Sequence, residues 1–309
     1  MRNAFADELT KLASLDQRIV LLSGDIGNRL FDNFKKLFPN RFYNCGVAEA
    51  NMTSVAAGMA MCGLKPITYT ITPFNTTRCL EQIKLDVCYH NQSVIIVGVG
   101  AGLSYASLGG SHHSCEDISF LRSIPNMTVT CPADAFEVRK ILKEAINLGG
   151  PVYIRIGKKG EPQIHQNTPD ITIGKGYIIQ KGKDLCLIST GNMLFETIKT
   201  AKILKTYNLD AHIVNMHTIK PLDKDLLKEV FSKFSLVASI EEHSLIGGLG
   251  SSIAEWMVDN HISTKFLRFG TKDEFFHKLG SQQYLRDYNL LNSQEISKTI
   301  LKTLKKEKL

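Results

Sequence analysis

Residues 41–60 read RFYNCGVAEANMTSVAAGMA, and in this stretch an extended segment gives way to a helix with one carboxylate, Glu49, at the changeover. Phe42 and Tyr43 suit a strand, Gly46 permits a turn, and Met52, Val55, Ala56 and Met59 then recur at helical spacing. Ala56, Ala57, Gly58 and Ala60 leave room for a neighbour to pack closely. Repeated, this strand–turn–helix step is the unit of an α/β protein. Glu49 itself has two readings. It is either an acidic residue favoured by the positive end of a helix dipole or a reactive carboxyl at the mouth of a buried helix.

Outward from that stretch the same rhythm continues. Residues 19–23, 66–70, 93–98, 127–130 and 152–156 are short, β-branched and almost continuously apolar, as parallel strands covered on both faces must be. Helical patterns at 48–61, 78–90 and 133–147 alternate with them. The second half repeats the pattern, with strands at 184–189, 211–215, 236–240 and 265–268 and helices at 195–205, 223–231, 249–259 and 294–305. The fold class is therefore α/β, with two open, mostly parallel-sheet α/β domains. The first spans residues 1–160, a glycine- and proline-rich linker covers 161–182, and the second domain is 183–309. Ligands of such sheets bind beyond the carboxyl ends of the strands.

Composition narrows the function classes. The 309 residues are 43% hydrophobic and 22% charged, ordinary values for a globular protein. No run of 18 apolar residues is present, and residues 1–18 form a polar amphipathic pattern without a signal-peptide core, so no membrane role is expected. Seven cysteines without a CxxC pair fit a reducing, cytoplasmic setting. The net charge of +7 owes much to the lysines of 300–309, and no basic stripe with interleaved aromatics points to nucleic acid. SHHSCED (111–117) offers no second ligand group for zinc, so no metal ligands are assigned. GGLG (247–250) lacks the full dinucleotide fingerprint.

Four features of the first half converge on chemistry. Phe74 stands in a loop beyond the strand 66–70. Arg78, Glu81, Gln82 and Asp86 then recur at three- and four-residue spacing as a polar helix face. A glycine- and serine-rich loop follows strand 93–98, displays His112 and His113, and closes on Glu116 and Asp117 at a helix start. Singly, each has a structural explanation: a plug, a solvated face, polar loop groups, a capping acid.

In this order the strings CGVAEANM, PFNTTRCLEQIKLDVCYH, SHHSCEDISFLRSIPNMTVTCPAD and GPVYIRIGK resemble the pyrimidine-binding domain of the transketolase family of thiamine-diphosphate enzymes. LISTGNM, NMHTIKPLD and EEHSLIGGLGSSIAE are similar to that family's C-terminal domain, so the resemblance runs from about residue 15 to about residue 300. It implies that Glu49 is catalytic. Its carboxyl would hydrogen-bond N1' of the cofactor's aminopyrimidine and favour the imino tautomer that deprotonates the thiazolium. Val47, Met52 and Val55 would supply the apolar surroundings that role needs. Phe74 would stack on the aminopyrimidine, with Arg78 and Asp25 also near the cofactor. His112, with His113 beside it, would reach substrate oxygens, and Lys158 would bind a substrate phosphate.

The family's single-chain members carry a GDG motif followed by an NN pair that hold Mg²⁺ and diphosphate, and neither is found here; GDIGN (24–28) is a different element. The resemblance therefore implies half of a split transketolase, with a separate diphosphate-binding subunit holding Mg²⁺ in an α2β2 assembly. The implied reaction is transfer of a two-carbon ketol unit between sugar or sugar-phosphate substrates. Deoxyxylulose-phosphate-synthase-like condensation, the beta subunit of a 2-oxo acid dehydrogenase and a catalytically silent paralogue are the alternatives. Two departures bear on the substrate. Gly100 replaces a family histidine and Leu108 an acidic residue, which predicts a less polar, roomier pocket that Gly100→His with Leu108→Asp would restore.

Overall fold

The strand Ile95–Val99 is buried at all five residues and alternates between two cores. Ile95, Val97 and Val99 pack with Ile19, Leu21, Ile154 and Ile156 on one face, while Val94 and Ile96 pack with Val20, Leu22 and Tyr153 on the other. This two-residue period is that of a strand covered on both sides. Each such side chain contributes about 1.5–3 kcal/mol of burial free energy.

A computed structural model describes residues 1–27 and 29–305; the ends of the GDIGN string and of the basic 300–309 segment lie outside the described residues. The strands are β1 (Ile19–Ser23), β2 (Phe42–Asn44), β3 (Lys65–Ile71), β4 (Ile95–Val99), β5 (Thr128–Thr130), β6 (Val152–Ile156), β7 (Tyr177–Gln180), β8 (Leu185–Ser189), β9 (Ala211–Asn215), β10 (Thr218–Lys220), β11 (Leu236–Ser244) and β12 (Lys265–Thr271). They form a seven-stranded sheet, β10-β5-β6-β4-β3-β1-β2, and a five-stranded sheet, β12-β11-β8-β9-β7. All pairings are parallel except β10 with β5 and β7 with β9, so the two mostly parallel sheets expected from sequence are present.

The two sheets share material. β10 follows the second sheet's β9 in the chain yet pairs with β5 of the first sheet. One core cluster runs from Val20 and Ile96 through Cys186, Ile188, Val214 and Val237 to Trp256. The segment 161–182 is more than a connector. β7 lies within it at the edge of the second sheet, and the amides of Ile164 and His165 donate to Asp134 Oδ2 at 3.0 and 2.8 Å.

The regular helix expected over 78–90 is wound differently. A 3₁₀ turn (Thr77–Cys79), a single α turn (Leu80–Gln82) and a π-helix (Ile83–Tyr89) replace it. The wide π turn lets Asp86 accept a 2.5 Å hydrogen bond from Ser54 Oγ on the helix Glu49–Met61. Arg78 consequently belongs to the 3₁₀ turn, off the face that its spacing with Asp86 suggested.

Candidate active site

Five parallel strands of the first sheet end on one edge, and each is followed by a residue picked out in the sequence. Along the sheet, in the order β6-β4-β3-β1-β2, their loops carry Lys158, His112, Phe74, Asp25 and Glu49. Strand order, rather than proximity in sequence, brings these groups together.

Glu49 opens the helix Glu49–Met61 and is 2% exposed; its Oε2 accepts a hydrogen bond from Arg78 Nη1 at 2.9 Å. Burial of a carboxylate needs such a partner. Its surroundings differ from those expected. Met52 is buried, but Val47 and Val55 are 74% and 39% exposed and face outward. The helix turns that side to solvent, and the enclosure is built instead by Gly24, Thr70 and Arg78. A Cβ on Gly24 would lie 3.1 Å from Thr70 and 3.3 Å from Glu49 Cγ, so glycine permits that approach.

The guanidinium of Arg78 stands 4.2 Å from the centroid of Phe74, whose ring meets the His112 ring at 5.2 Å, edge to face. His112 Nδ1 lies 3.0 Å from Ser111 Oγ. Burial, then the Arg78 charge, holds the His112 pKa below that of an ordinary histidine, so it is a neutral imidazole at neutral pH. Beyond it, Tyr105 meets His112 at 6.1 Å and carries the Lys158 ammonium 4.8 Å from its ring centroid. An unbroken series of contacts thus runs from Glu49 through Arg78, Phe74, His112 and Tyr105 to Lys158.

Two of the expected residues lie off that series. Asp25, at φ +55°, is exposed on the rim and accepts a 2.9 Å hydrogen bond from Asn44 Nδ2. His113 is buried, with Nε2 3.4 Å from the Ala106 carbonyl and its ring against Phe276. It supports the loop, and its pKa too is lowered by burial.

The space at Gly100 departs from expectation most. Gly100 has φ +80°, and a Cβ there would fall 1.9 Å from Tyr105 Cε2. The pocket is not roomier at this point, because the tyrosine ring fills the volume a side chain at 100 would need. Gly100→His cannot be accommodated without displacing that ring. Tyr105 was legible only as the single aromatic residue in the loop GAGLSYASLGGS (100–111).

Sequence reasoning also missed how the loop is held. Asp117, read as a helix opener, is fully buried. Its Oδ2 accepts from Arg155 Nε at 2.7 Å and Tyr153 Oη at 2.6 Å. Arg155 Nη2 donates to the carbonyls of Ser114 and Glu242 at 2.9 and 3.0 Å. Glu242, on β11, takes the Leu103 amide at 2.9 Å and is braced by Gln282 and Arg286. The second domain therefore clamps both ends of the histidine loop.

These residues fit the aminopyrimidine half of thiamine diphosphate: a buried carboxyl for a ring nitrogen, a half-buried aromatic face and an arginine. They do not fit a divalent ion, since among the described residues no three His, Cys, Asp or Glu side chains converge as ligands.

Comparison with known proteins gives matches over both halves of the chain. Residues 1–162 match the family model "Transketolase, pyrimidine binding domain" and residues 174–296 match "Transketolase, C-terminal domain". The chain is 37% identical over 310 residues to a putative transketolase C-terminal section of Methanocaldococcus jannaschii, covering 99% of this chain and 97% of the relative. It is 32% identical over 307 residues to one of the subunits of the apulose-4-phosphate transketolase of Phocaeicola vulgatus, covering 99% and 97%. A solved structure described as a split gene transketolase, inactive beta4 tetramer, superposes with a TM-score of 0.90 at 34% identity over 98% of each chain.

Proposed function

The chain belongs to the transketolase family, and on that premise we propose that it is the pyrimidine-side subunit of a split enzyme moving a two-carbon ketol unit between sugar or sugar-phosphate substrates. One observation carries the reading: Glu49, Arg78, Phe74, His112, Tyr105 and Lys158 lie in continuous contact along the carboxyl edge of one sheet. Bound thiamine diphosphate supplies the electron sink for carbon–carbon cleavage and formation.

The chain's own residues then have distinct tasks. Glu49 holds or shares a proton at the pyrimidine nitrogen, a role suited to a carboxyl screened from water. Phe74 offers a stacking face, a contact contributing about 1 kcal/mol beyond burial. Arg78 keeps the Glu49 carboxyl oriented through their 2.9 Å bond and packs on Phe74. Neutral His112 can accept a proton from a substrate hydroxyl or donate its own to a carbonyl oxygen. Lys158 provides a point charge for an anionic substrate end. Asp25 lines the cofactor rim, and His113 buttresses the loop that presents His112.

Mg²⁺ and the diphosphate belong to a second subunit in this reading, and the working form is an α2β2 heterotetramer. The similarity to a split transketolase whose beta4 tetramer is described as inactive supports it, since an assembly of one chain type alone does not work there. The test is titration calorimetry of thiamine diphosphate with Mg²⁺ against this chain alone and against the chain co-expressed with a GDG- and NN-bearing subunit. Weak binding alone and tight binding with ketol transfer in the pair are expected. Micromolar binding to the lone chain would overturn the half-enzyme reading.

A further inference from the structure

We infer that Tyr105 is a positioning residue: its ring, locked against Gly100, stands between His112 and Lys158 and holds the Lys158 ammonium so that the site selects ketoses that end in an anionic group. The inference rests on the ketol-transfer reading and deepens it.

Three observations lead there. First, Tyr105 and Gly100 are a matched pair. With φ +80° at Gly100 and ring carbons 1.9 and 2.0 Å from where a Cβ would be, residue 100 must be glycine for the ring to lie where it does. Second, the ring is oriented. Tyr105 is 7% exposed, and its ring meets the His112 ring at 6.1 Å while the Lys158 ammonium stands 4.8 Å from its centroid. Third, the loop cannot carry the ring away. Ser104 Oγ donates to the Ala101 carbonyl at 2.7 Å, the Leu103 amide to Glu242 at 2.9 Å, and Gly102 bridges Ser114.

The consequence falls on Lys158. A free lysine side chain loses rotamer freedom when it binds an anion. A cation held over an aromatic face by its attraction to the ring is already placed. Tyr105 therefore pre-positions the ammonium for an anion at a fixed reach from His112. Discrimination among donors then rests on the terminal charge.

The experiment uses the complex of this chain with its partner subunit. It measures kcat/KM for xylulose 5-phosphate and for unphosphorylated xylulose, with 3-hydroxypyruvate as a donor that yields the same two-carbon unit on loss of CO2 and has no far end. The wild type should prefer the phosphorylated ketose at least tenfold. Tyr105→Phe should keep that ratio within twofold. Tyr105→Leu, which keeps an apolar side chain without a ring face, should lower it at least threefold, chiefly through KM for the phosphorylated donor. Tyr105→Met gives the same reading should the leucine variant fail to assemble. An unchanged ratio in the folded leucine or methionine variant, or no preference in the wild type, overturns the inference. Wild-type complex that cannot use 3-hydroxypyruvate at all would instead remove the ketol-transfer reading beneath it.

Discussion

Replacing Glu49 by glutamine separates chemistry from architecture. The carboxyl is 2% exposed and its partner Arg78 is 45% exposed, so the pair is only half desolvated. The glutamine oxygen can still accept the Arg78 hydrogen bond, and what is lost is the charge. For a pair with one exposed partner that loss should cost no more than about 1 kcal/mol of stability. Catalysis should suffer much more. A neutral amide cannot hold the exchangeable proton at the pyrimidine nitrogen, and removal of an acid–base group slows a proton transfer by about 10²-fold or more. That corresponds to at least about 2.7 kcal/mol of transition-state stabilisation. The assay is deuterium exchange at C2 of the bound cofactor, followed by NMR in the assembled heteromeric enzyme, beside thermal unfolding of the same sample. Slow exchange with a nearly unchanged melting temperature is the expected result. Exchange within threefold of wild type would refute the role given to Glu49. Slow exchange accompanied by collapse of the fold would refute the claim that the residue is placed for chemistry.

Asp117→Asn leaves the fully buried Arg155 charge without its counter-ion. It should cost about 3–5 kcal/mol in urea unfolding, and a loss below about 1 kcal/mol would show that the pair does not hold the loop. Burial lowers the His217 pKa from 6.5 to about 4. Between those values the unfolded chain takes up a proton that the folded chain does not, so stability falls as pH drops from 6.5 towards 4. Glu137 and Glu241, pushed up from 4.5 to about 7 by burial, act in the opposite direction, losing stability as pH rises from 4.5 towards 7. Comparing His217→Asn with wild type isolates the histidine: the unfolding free energy at pH 7 minus that at pH 5 should be about 2 kcal/mol lower in the variant. Equal pH slopes in the two proteins would contradict the assignment.

Much of this was legible in the sequence because parallel strands buried on both faces leave almost continuous apolar runs, as at 19–23 and 152–156. The residues placed beyond those runs were legible by type. Two carboxylates, an aromatic ring, an imidazole and an ammonium stand where five strands end, and the sheet order gathers them. What was not legible depends on contacts distant in sequence. β10 is three residues long and owes its existence to pairing with β5, far back in the chain. The π winding of Ile83–Tyr89 follows from packing against the Glu49–Met61 helix, not from local propensity. The role implied for Glu49 led to the expectation that Val47 and Val55 would line the carboxyl, but the sequence around a helix start cannot say which side meets the sheet. The Gly100–Tyr105 pair was hidden because neither residue is unusual for a loop until the ring is seen to occupy the volume a side chain at 100 would need.

The row of groups along the sheet edge also acts as a ruler. Adjacent strands lie about 4.8 Å apart, and the loops bearing Phe74 and Lys158 follow β3 and β6, with β4 between them. Two strand intervals put the ends of those two strands about 10 Å apart. These intervals are set by hydrogen-bonded backbone, which no side-chain substitution shortens. Evolution or design acting on this scaffold can therefore change which groups are read between the marks far more readily than it can change how long a molecule must be to touch both of them.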